Sequence, residues 1–327
     1  MRVNGLGGET MIKILELFGG IGACTKAFER LGIEHEIVDY VEIDKFAVRT
    51  YNVIHYTKFK PQDITKWDRR DIDVDLICHG SPCQDFSTAG FQRGGDIESG
   101  TRSSLMYESI RIIGRLRPKY VIWENVKNLL SNKHMHNFNL YMDTMKGLGY
   151  TNYHQVLNSL DYGIPQHRNR VFVISIRNDL KQPFIFPPKQ ILTTNLSDFL
   201  TDKKYILARD DYKEFTNYFI FSRKSDNQMI NGSWNRIWNV NKIVGTLPAR
   251  HNIIKVGEVI DGKLHYKILD AKESFRLMGF DDTDYERAIG VNANSTLMRQ
   301  AGNSIVVPVL EAILKELLLC NEQLKIA

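Results

Sequence analysis

A chain of 327 residues, 43% hydrophobic and 25% charged, is long enough for two packed cores and too evenly mixed for a disordered, fibrous or membrane-embedded protein. Its four cysteines, Cys24, Cys78, Cys83 and Cys320, follow no repeated spacing, which argues against a disulfide framework or a zinc finger and for a reducing, cytoplasmic setting. The net charge of +5 is local: residues 181–265 carry 13 Lys/Arg against 8 Asp/Glu, while the remainder balances at 30 against 30, so one segment alone is suited to a polyanion.

In chain order, the leader "MRVNGLGGET" precedes Met11, and residues 1–10 read as a disordered extension or tag remnant. The run "IKILELF" is broken by Lys13 and Glu16 and is too short for a bilayer span. Predicted strands cover Ile12–Phe18, Ile37–Ile43, Val74–His79, Tyr120–Trp123, His154–Asn158 and Val171–Ile176. Between them lie predicted helices at Ala23–Leu31, Ser104–Leu116 and Phe138–Leu148, the second closed by Arg117-Pro118 and the third followed by Gly149. This alternation predicts an α/β fold, a mostly parallel sheet flanked by helices, with ligands outside the carboxyl ends of the strands. After the linker-like "PFIFPPKQ" the chain turns aromatic, polar and irregular to about residue 265. Helix signals return at Ala271, and Val309–Leu324 reads as an amphipathic terminal helix. The expected plan is a main domain over 11–188, a smaller insertion over 189–288 and a return to the first domain over 289–327.

The odd residues fall where that fold places ligands. The first strand runs into "LFGGIGA", a glycine turn ahead of a helix. The dinucleotide fingerprint begun at Gly20 puts Thr25 where its third glycine belongs, and no Gly-Lys-Ser/Thr follows, so neither a pyrophosphate nor a phosphate loop is expected. Glu42 ends the second strand, where a carboxylate accepts both hydroxyls of a ribose. Asp63, in "QDIT", is placed to accept from an adenine amino group, and Phe18 to stack on the purine. Together they describe an adenosine site without phosphates, which S-adenosyl-L-methionine fits. In "CHGSPCQDFS" Cys83 follows Pro82 in the loop after a strand, a place to react rather than to pack. Glu124, in "WENV", is a carboxylate after an apolar strand, costly unless paired or protonated. "QHRNR" then supplies Arg168 and Arg170.

The ordered set "FGGIG", "EID", "DI", "PCQ", "ENV", "QHRNR" and "AGNSIVVPV" resembles the DNA cytosine-5 methyltransferases of bacteria and phages, in their unpermuted motif order and across nearly the whole catalytic domain. The resemblance implies a Rossmann-like S-adenosylmethionine-dependent domain over 11–188 and 289–327, with a DNA target recognition domain over 189–288. It also implies methyl transfer to carbon 5 of a flipped-out cytosine in a short double-stranded DNA sequence, leaving S-adenosyl-L-homocysteine. Cys83 would add to carbon 6 as a thiolate, and Glu124 would relieve the charge at ring nitrogen 3. Arg168 would hold the exocyclic oxygen and Asn125 the loop of Glu124; Arg170 is left open between a structural and a catalytic role. The base that takes the carbon 5 proton is equally open between a water and a side chain. Cofactor contacts would come from Phe18, Gly20, Ile21, Gly22, Glu42 and Ile43. Asp63, Ile64, Pro82, Leu105, Asn303 and Ser304 would complete them; no metal is expected.

Residues 85–104, with Gly90, Gly94, Gly95 and Gly100, resemble the family's closing loop, in which Arg93 and Arg102 would meet phosphates and Gln84 and Ser87 the DNA. "GTLPAR" resembles the recognition region's Thr-Leu pair at Thr246 and Leu247, and Arg223, Lys224, Arg236 and Arg250 are further candidate DNA contacts. Trp234 and Trp238 are assigned to a small core. The sequence departs from the family at Ser81, where a second proline or an aromatic residue is common, and at Gly19, where alanine is. An arginine expected before "ESFRLMGF" is missing, although no chemical residue is. The rival readings are a tRNA cytosine-5 methyltransferase, whose Cys-Phe-Thr tripeptide is absent; an inactive DNA-binding module, which would have no use for Cys83, Glu124 and Arg168; and a nicotinamide oxidoreductase, which the glycine pattern opposes. The expected partners are double-stranded DNA and a separately encoded restriction endonuclease, with the protein itself a monomer.

Overall fold

The computed structural model describes residues 11–81, 105–208, 212–221, 235–249 and 253–319. The chain divides into two compact units. The first comprises Met1–Leu157, Asn169–Pro187 and Leu310–Ala327, the second Asn158–Arg168 and Pro188–Val309.

The first unit begins with strand β1 (Ile12–Leu17) and helix α1 (Ala23–Leu31). Gly32, in the left-handed region at φ 65°, ends α1 by returning its N–H to the last turn. Strand β2 (His35–Val41) follows, then helix α2 (Lys45–Ile54), capped by Asp44, whose carboxylate accepts the Phe46 N–H at 2.9 Å. Strand β3 (Leu76–His79) is wholly buried; helix α3 (Met106–Leu116) stops at Arg117, the residue before Pro118. Strand β4 (Tyr120–Val126), helix α4 (Met135–Gly147), strand β5 (Tyr150–Asn158) and strand β7 (Asn169–Arg177) complete the run, the two-residue strand β6 (Gln166–His167) between the last two belonging to the second unit.

The sheet order is β2-β1-β3-β4-β7-β5. β1 runs parallel to β2 and β3, and β3 to β4, whereas β7 is antiparallel to β4. The expected mostly parallel sheet is therefore present. Its core stacks Leu15, Leu17, Ile77, Val121, Trp123 and Val173 against Ile112, Ile113, Tyr141 and Met145 from α3 and α4, each large side chain contributing roughly 1.5–3 kcal/mol by leaving water. Because the first three strands are parallel, Phe18, Glu42 and Gly80 all emerge from the same edge of the sheet.

The second unit is more ordered than its irregular sequence suggests. Strands β8 (Ile206–Leu207), β9 (Tyr212–Glu214), β10 (Tyr218–Phe221), β11 (Arg236–Asn239), β13 (Lys255–Ile260) and β14 (Lys263–Ile268) form one sheet in the order β8-β14-β13-β11-β10-β9. Between them β12 (Val244–Gly245) pairs in parallel with β6. Phe219, Ile237 and Leu264 form the sheet's small core. Helices α5 (Ala271–Arg276), α6 (Asp282–Ala288) and α7 (Asn294–Asn303) follow, the first two opened by reciprocal capping boxes. The predicted terminal helix is observed as α8 (Val307–Leu314) and a π-helical turn (Lys315–Leu319); residues 320–324 lie outside the described residues. Among the described residues no helix is long and apolar enough to cross a membrane.

Candidate active site

The glycine turn after β1 is fitted tightly to its surroundings at Gly19 and Gly22. A Cβ on Gly19 would lie 2.7 Å from the Tyr40 ring, and one on Gly22, at φ 82°, would lie 2.3 Å from His55 Nε2. At Gly20, φ 57°, a Cβ would meet nothing within 4 Å, so the outer corner of the turn is open. The tight packing at Gly19 is matched by Tyr40, whose hydroxyl donates to the Gly20 carbonyl at 2.6 Å.

Beneath the turn lies Glu16, which sequence reasoning treated only as an interruption. It is buried, and its Oε1 accepts the Thr25 N–H at 2.9 Å and the Thr25 hydroxyl. Burial pushes its carboxyl above the ordinary range, opposed by the Thr25 hydrogen bonds. Thr25, the residue that breaks the dinucleotide fingerprint, thus holds the first turn of α1 to the strand. A charged residue inside an otherwise buried strand, three positions before a double glycine, was the available signal.

Glu42 joins the turn to the next loop. Its Oε2 accepts the Gly20 N–H at 3.2 Å and its Oε1 the Asp44 N–H at 2.8 Å, while its own carbonyl accepts the Gln62 N–H at 2.8 Å. Burial raises the carboxyl's pKa and the two backbone donors oppose that rise. A carboxylate has about four acceptor positions, so these donors leave it capacity to accept from a further hydroxyl. Asp63 follows on the same loop, its Oδ1 accepting from the Thr65 N–H at 3.0 Å and hydroxyl at 2.8 Å, bonds that lower its pKa. Ile43 is 68% exposed, whereas Ile21 and Ile64 are buried; Ile21 contributes its backbone, its carbonyl lying 3.1 Å from His55 Nε2. Phe18 and Leu105 are half-buried on the edge of the main core. The turn, Glu42 and the Asp63 loop are therefore one bonded assembly with an open corner, and it fits an adenosyl group.

At the next strand ends, Glu124 and Arg170 meet. Arg170 Nε lies 2.9 Å from Glu124 Oε1 across the antiparallel β4–β7 pair, with the two side chains 17% and 12% exposed. The other carboxylate oxygen lies on the Gly80 side, 3.6 Å from where a Cβ would stand. Asn125 Nδ2 reaches the Ser81 carbonyl and hydroxyl at 3.4 and 3.5 Å, and Trp123 Nε1 donates to the same hydroxyl at 3.2 Å. Asn125 thus ties β4 to the residues just before Pro82-Cys83. Ser81, noted only as a departure, is the acceptor for both.

Arg168 is packed on backbone carbonyls. It is 3% exposed within the second unit, where Nη1 donates to the Leu247 carbonyl at 3.2 Å and Nη2 to those of Gly302 and Ser304 at 3.0 and 2.8 Å. These bonds make Arg168 a clasp for the "GTLP" and "AGNS" segments, and Arg170 is the arginine at Glu124. Gln166 serves the same clasp, accepting the Leu247 N–H at 3.0 Å and donating to the Leu277 carbonyl at 2.9 Å. A Cβ on Gly302 would lie 2.4 Å from the Pro248 carbonyl oxygen. The side chain of Leu247 is buried. Thr246 is exposed, its hydroxyl on the His167 carbonyl at 2.8 Å. Asn303 is exposed and Ser304 buried. Arg236 lies over the Tyr218 ring at 4.9 Å, and Trp238 packs edge-on to Tyr218 and covers Gly245. Cys83, Pro82, Gln84, Ser87, Arg93, Arg102, Arg223, Lys224, Trp234 and Arg250 lie outside the described residues.

Comparison with known proteins matches residues 12–319 to the family described as C-5 cytosine-specific DNA methylase. The chain is 33% identical to the Type II methyltransferase M2.ScrFI of Lactococcus lactis subsp. cremoris, over 94% of this chain and 99% of that one. It is also 33% identical to the Type II methyltransferase M.HhaI of Haemophilus parahaemolyticus, over 93% of each. Among solved structures, DNMT2 of Spodoptera frugiperda superposes with a TM-score of 0.69 at 20% identity, over 94% of this chain and 99% of that one. A putative DNA modification methyltransferase from an Escherichia coli prophage gives 0.65, also at 20% identity, over 94% and 98%.

Proposed function

This chain belongs to the C-5 cytosine-specific DNA methylase family, and from that premise we propose that it methylates carbon 5 of a flipped-out cytosine in a specific short double-stranded DNA sequence through a covalent bond from Cys83. S-adenosyl-L-methionine, bound by the Phe18–Gly22 turn, Glu42, Ile43, Asp63, Ile64, Pro82, Leu105, Asn303 and Ser304, supplies an electrophilic methyl carbon.

The chain's own residues supply the rest. The Cys83 thiolate adds to carbon 6 of the cytosine, and the electron pair displaced from the 5,6 double bond makes carbon 5 nucleophilic. Glu124 manages the negative charge that builds at ring nitrogen 3. Arg170 orients Glu124 through its 2.9 Å contact and takes the role at the exocyclic oxygen first given to Arg168. Carbon 5 then takes the methyl group as its bond to the sulfonium sulfur breaks, leaving S-adenosyl-L-homocysteine; a water or a side chain removes the carbon 5 proton, and the freed electron pair re-forms the 5,6 double bond as the Cys83 thiolate leaves carbon 6. Residues 85–104, with Arg93 and Arg102, close over the extruded base, because the reacting carbons are shielded inside a duplex.

The Glu124–Arg170 pair carries this reading, since a paired carboxylate beside Gly80, three residues before Cys83, is what a cytosine needs and a purely DNA-binding module does not. The second unit, through Arg223, Lys224, Arg236, Thr246 and Arg250, reads the target sequence, and Gln84 and Ser87 of the first unit contact the DNA as well. The protein works as a cytoplasmic monomer alongside a separately encoded restriction endonuclease of the same specificity. Bisulfite sequencing of DNA from cells expressing it is expected to return one methylated motif. Methylation of tRNA with unmodified DNA would overturn the assignment.

A further inference from the structure

One buried carboxylate gathers donors from far along the chain. Asp39, on β2, is 4% exposed. Its Oδ1 accepts from the Gln62 side-chain amide at 2.7 Å and from the Tyr40 N–H at 2.8 Å; its Oδ2 accepts from Trp67 Nε1 at 3.0 Å and Arg69 Nη1 at 3.3 Å. Three of those donors stand 23, 28 and 30 residues ahead, all on the segment between α2 and β3 that forms neither helix nor strand. The same segment is gripped from α3 by Arg111, whose Nη2 donates to the Ile64 and Trp67 carbonyls at 3.1 and 3.0 Å, with Nε fixed by Glu108 at 2.7 Å. Asp63 and Ile64 sit between the two grips.

An irregular segment that must order itself around a ligand loses affinity to that ordering, and one ordered beforehand does not. A carboxylate is also costly to bury, so four donors on Asp39 are what makes its position tenable. We propose that Asp39 is a positioning residue for methyl-donor binding, fixing the Gln62–Arg69 segment so that Asp63 and Ile64 are presented to the donor's purine before it arrives. This rests on the reading of Asp63 and Ile64 as purine-facing residues. The effect belongs to the donor site and not to DNA binding.

The test is calorimetric titration of the full chain with S-adenosyl-L-homocysteine, alongside the affinity for target duplex and the thermal midpoint, in Asp39→Asn, Trp67→Phe and Asp63→Ala. Asparagine keeps the size of Asp39 but turns an NH2 group towards donors. Phenylalanine at 67 deletes one N–H and keeps an aromatic ring, so it carries the test if the first variant does not fold. The expected loss of affinity for Asp39→Asn is about tenfold, that of one charge-assisted hydrogen bond, and smaller for Trp67→Phe, with DNA affinity retained. If Asp63→Ala weakens binding while Asp39→Asn and Trp67→Phe bind as wild type, the site stands and the role of Asp39 falls. If Asp63→Ala itself binds normally, the purine is placed elsewhere and both readings fall. Equal losses of donor and DNA affinity would make Asp39 merely architectural and also overturn the proposal.

Discussion

Replacing Arg170 with alanine separates the two arginines of "QHRNR". The substitution removes the guanidinium that lies 2.9 Å from Glu124, a side chain 12% exposed. Removing one side of a charged hydrogen bond in such a place costs about 1.5–3 kcal/mol. If that cost falls on the transition state, in which Glu124 acts, turnover drops by roughly 10- to 150-fold. Arg168→Ala instead strips a donor from the carbonyls of Leu247, Gly302 and Ser304 inside the second unit, so its cost, about 3 kcal/mol or more, is expected in folding. Single-turnover methylation at saturating donor and duplex, paired with urea unfolding, distinguishes them. Arg170→Ala should lose rate and little stability, and Arg168→Ala should lose stability first. Normal turnover in Arg170→Ala, or a fully stable Arg168→Ala that cannot turn over, would refute the exchange of roles.

Other outcomes follow from single contacts. Ser81→Ala leaves Trp123 Nε1 without its acceptor and loosens Asn125, so it should slow methylation by about tenfold with homocysteine-product affinity intact, as rate and titration measurements would show. Gly22→Ala combines a left-handed backbone with a collision at His55 and should destabilise by about 2 kcal/mol or more in urea unfolding. His79, buried against Trp123 and Tyr141, has its pKa pushed down to about 3 by burial. The unfolded chain accepts a proton that the folded one resists, so stability is fully present above about pH 7 and declines as pH falls from about 6.5 towards 3. His79→Gln should flatten that slope, whose full extent is on the order of 4 kcal/mol, in urea midpoints taken across the range.

Much of the first unit was legible because each signal was local. β1 and α1 are bounded by a glycine turn and Gly32, and α3 by Arg117-Pro118. Helix α2 escaped because "KFAVRTYNVI" mixes β-branched, aromatic and charged residues, with only Asp44 to announce it. The sheet of the second unit escaped because its strands are only two to six residues long, so no alternation accumulates. The two arginines could not be told apart for a related reason. A spacing of two puts side chains on one face of a continuous strand, but the chain breaks between β6, ending at His167, and β7, beginning at Asn169. The motifs "QHR", "GTLP" and "AGNS" were each visible; that they clasp one another through Gln166, Arg168 and Gly302 is a property of the folded chain alone.

The covalent step is reached most directly by denaturing mass spectrometry of the protein incubated with S-adenosyl-L-methionine and a target duplex carrying 5-fluorocytosine. Fluorine cannot depart as a proton does, so the sulfur–carbon bond should persist and a protein–DNA species should appear, mapping to Cys83 and vanishing in Cys83→Ser. A methylated product with no such species, or the same species in Cys83→Ser, would contradict the account.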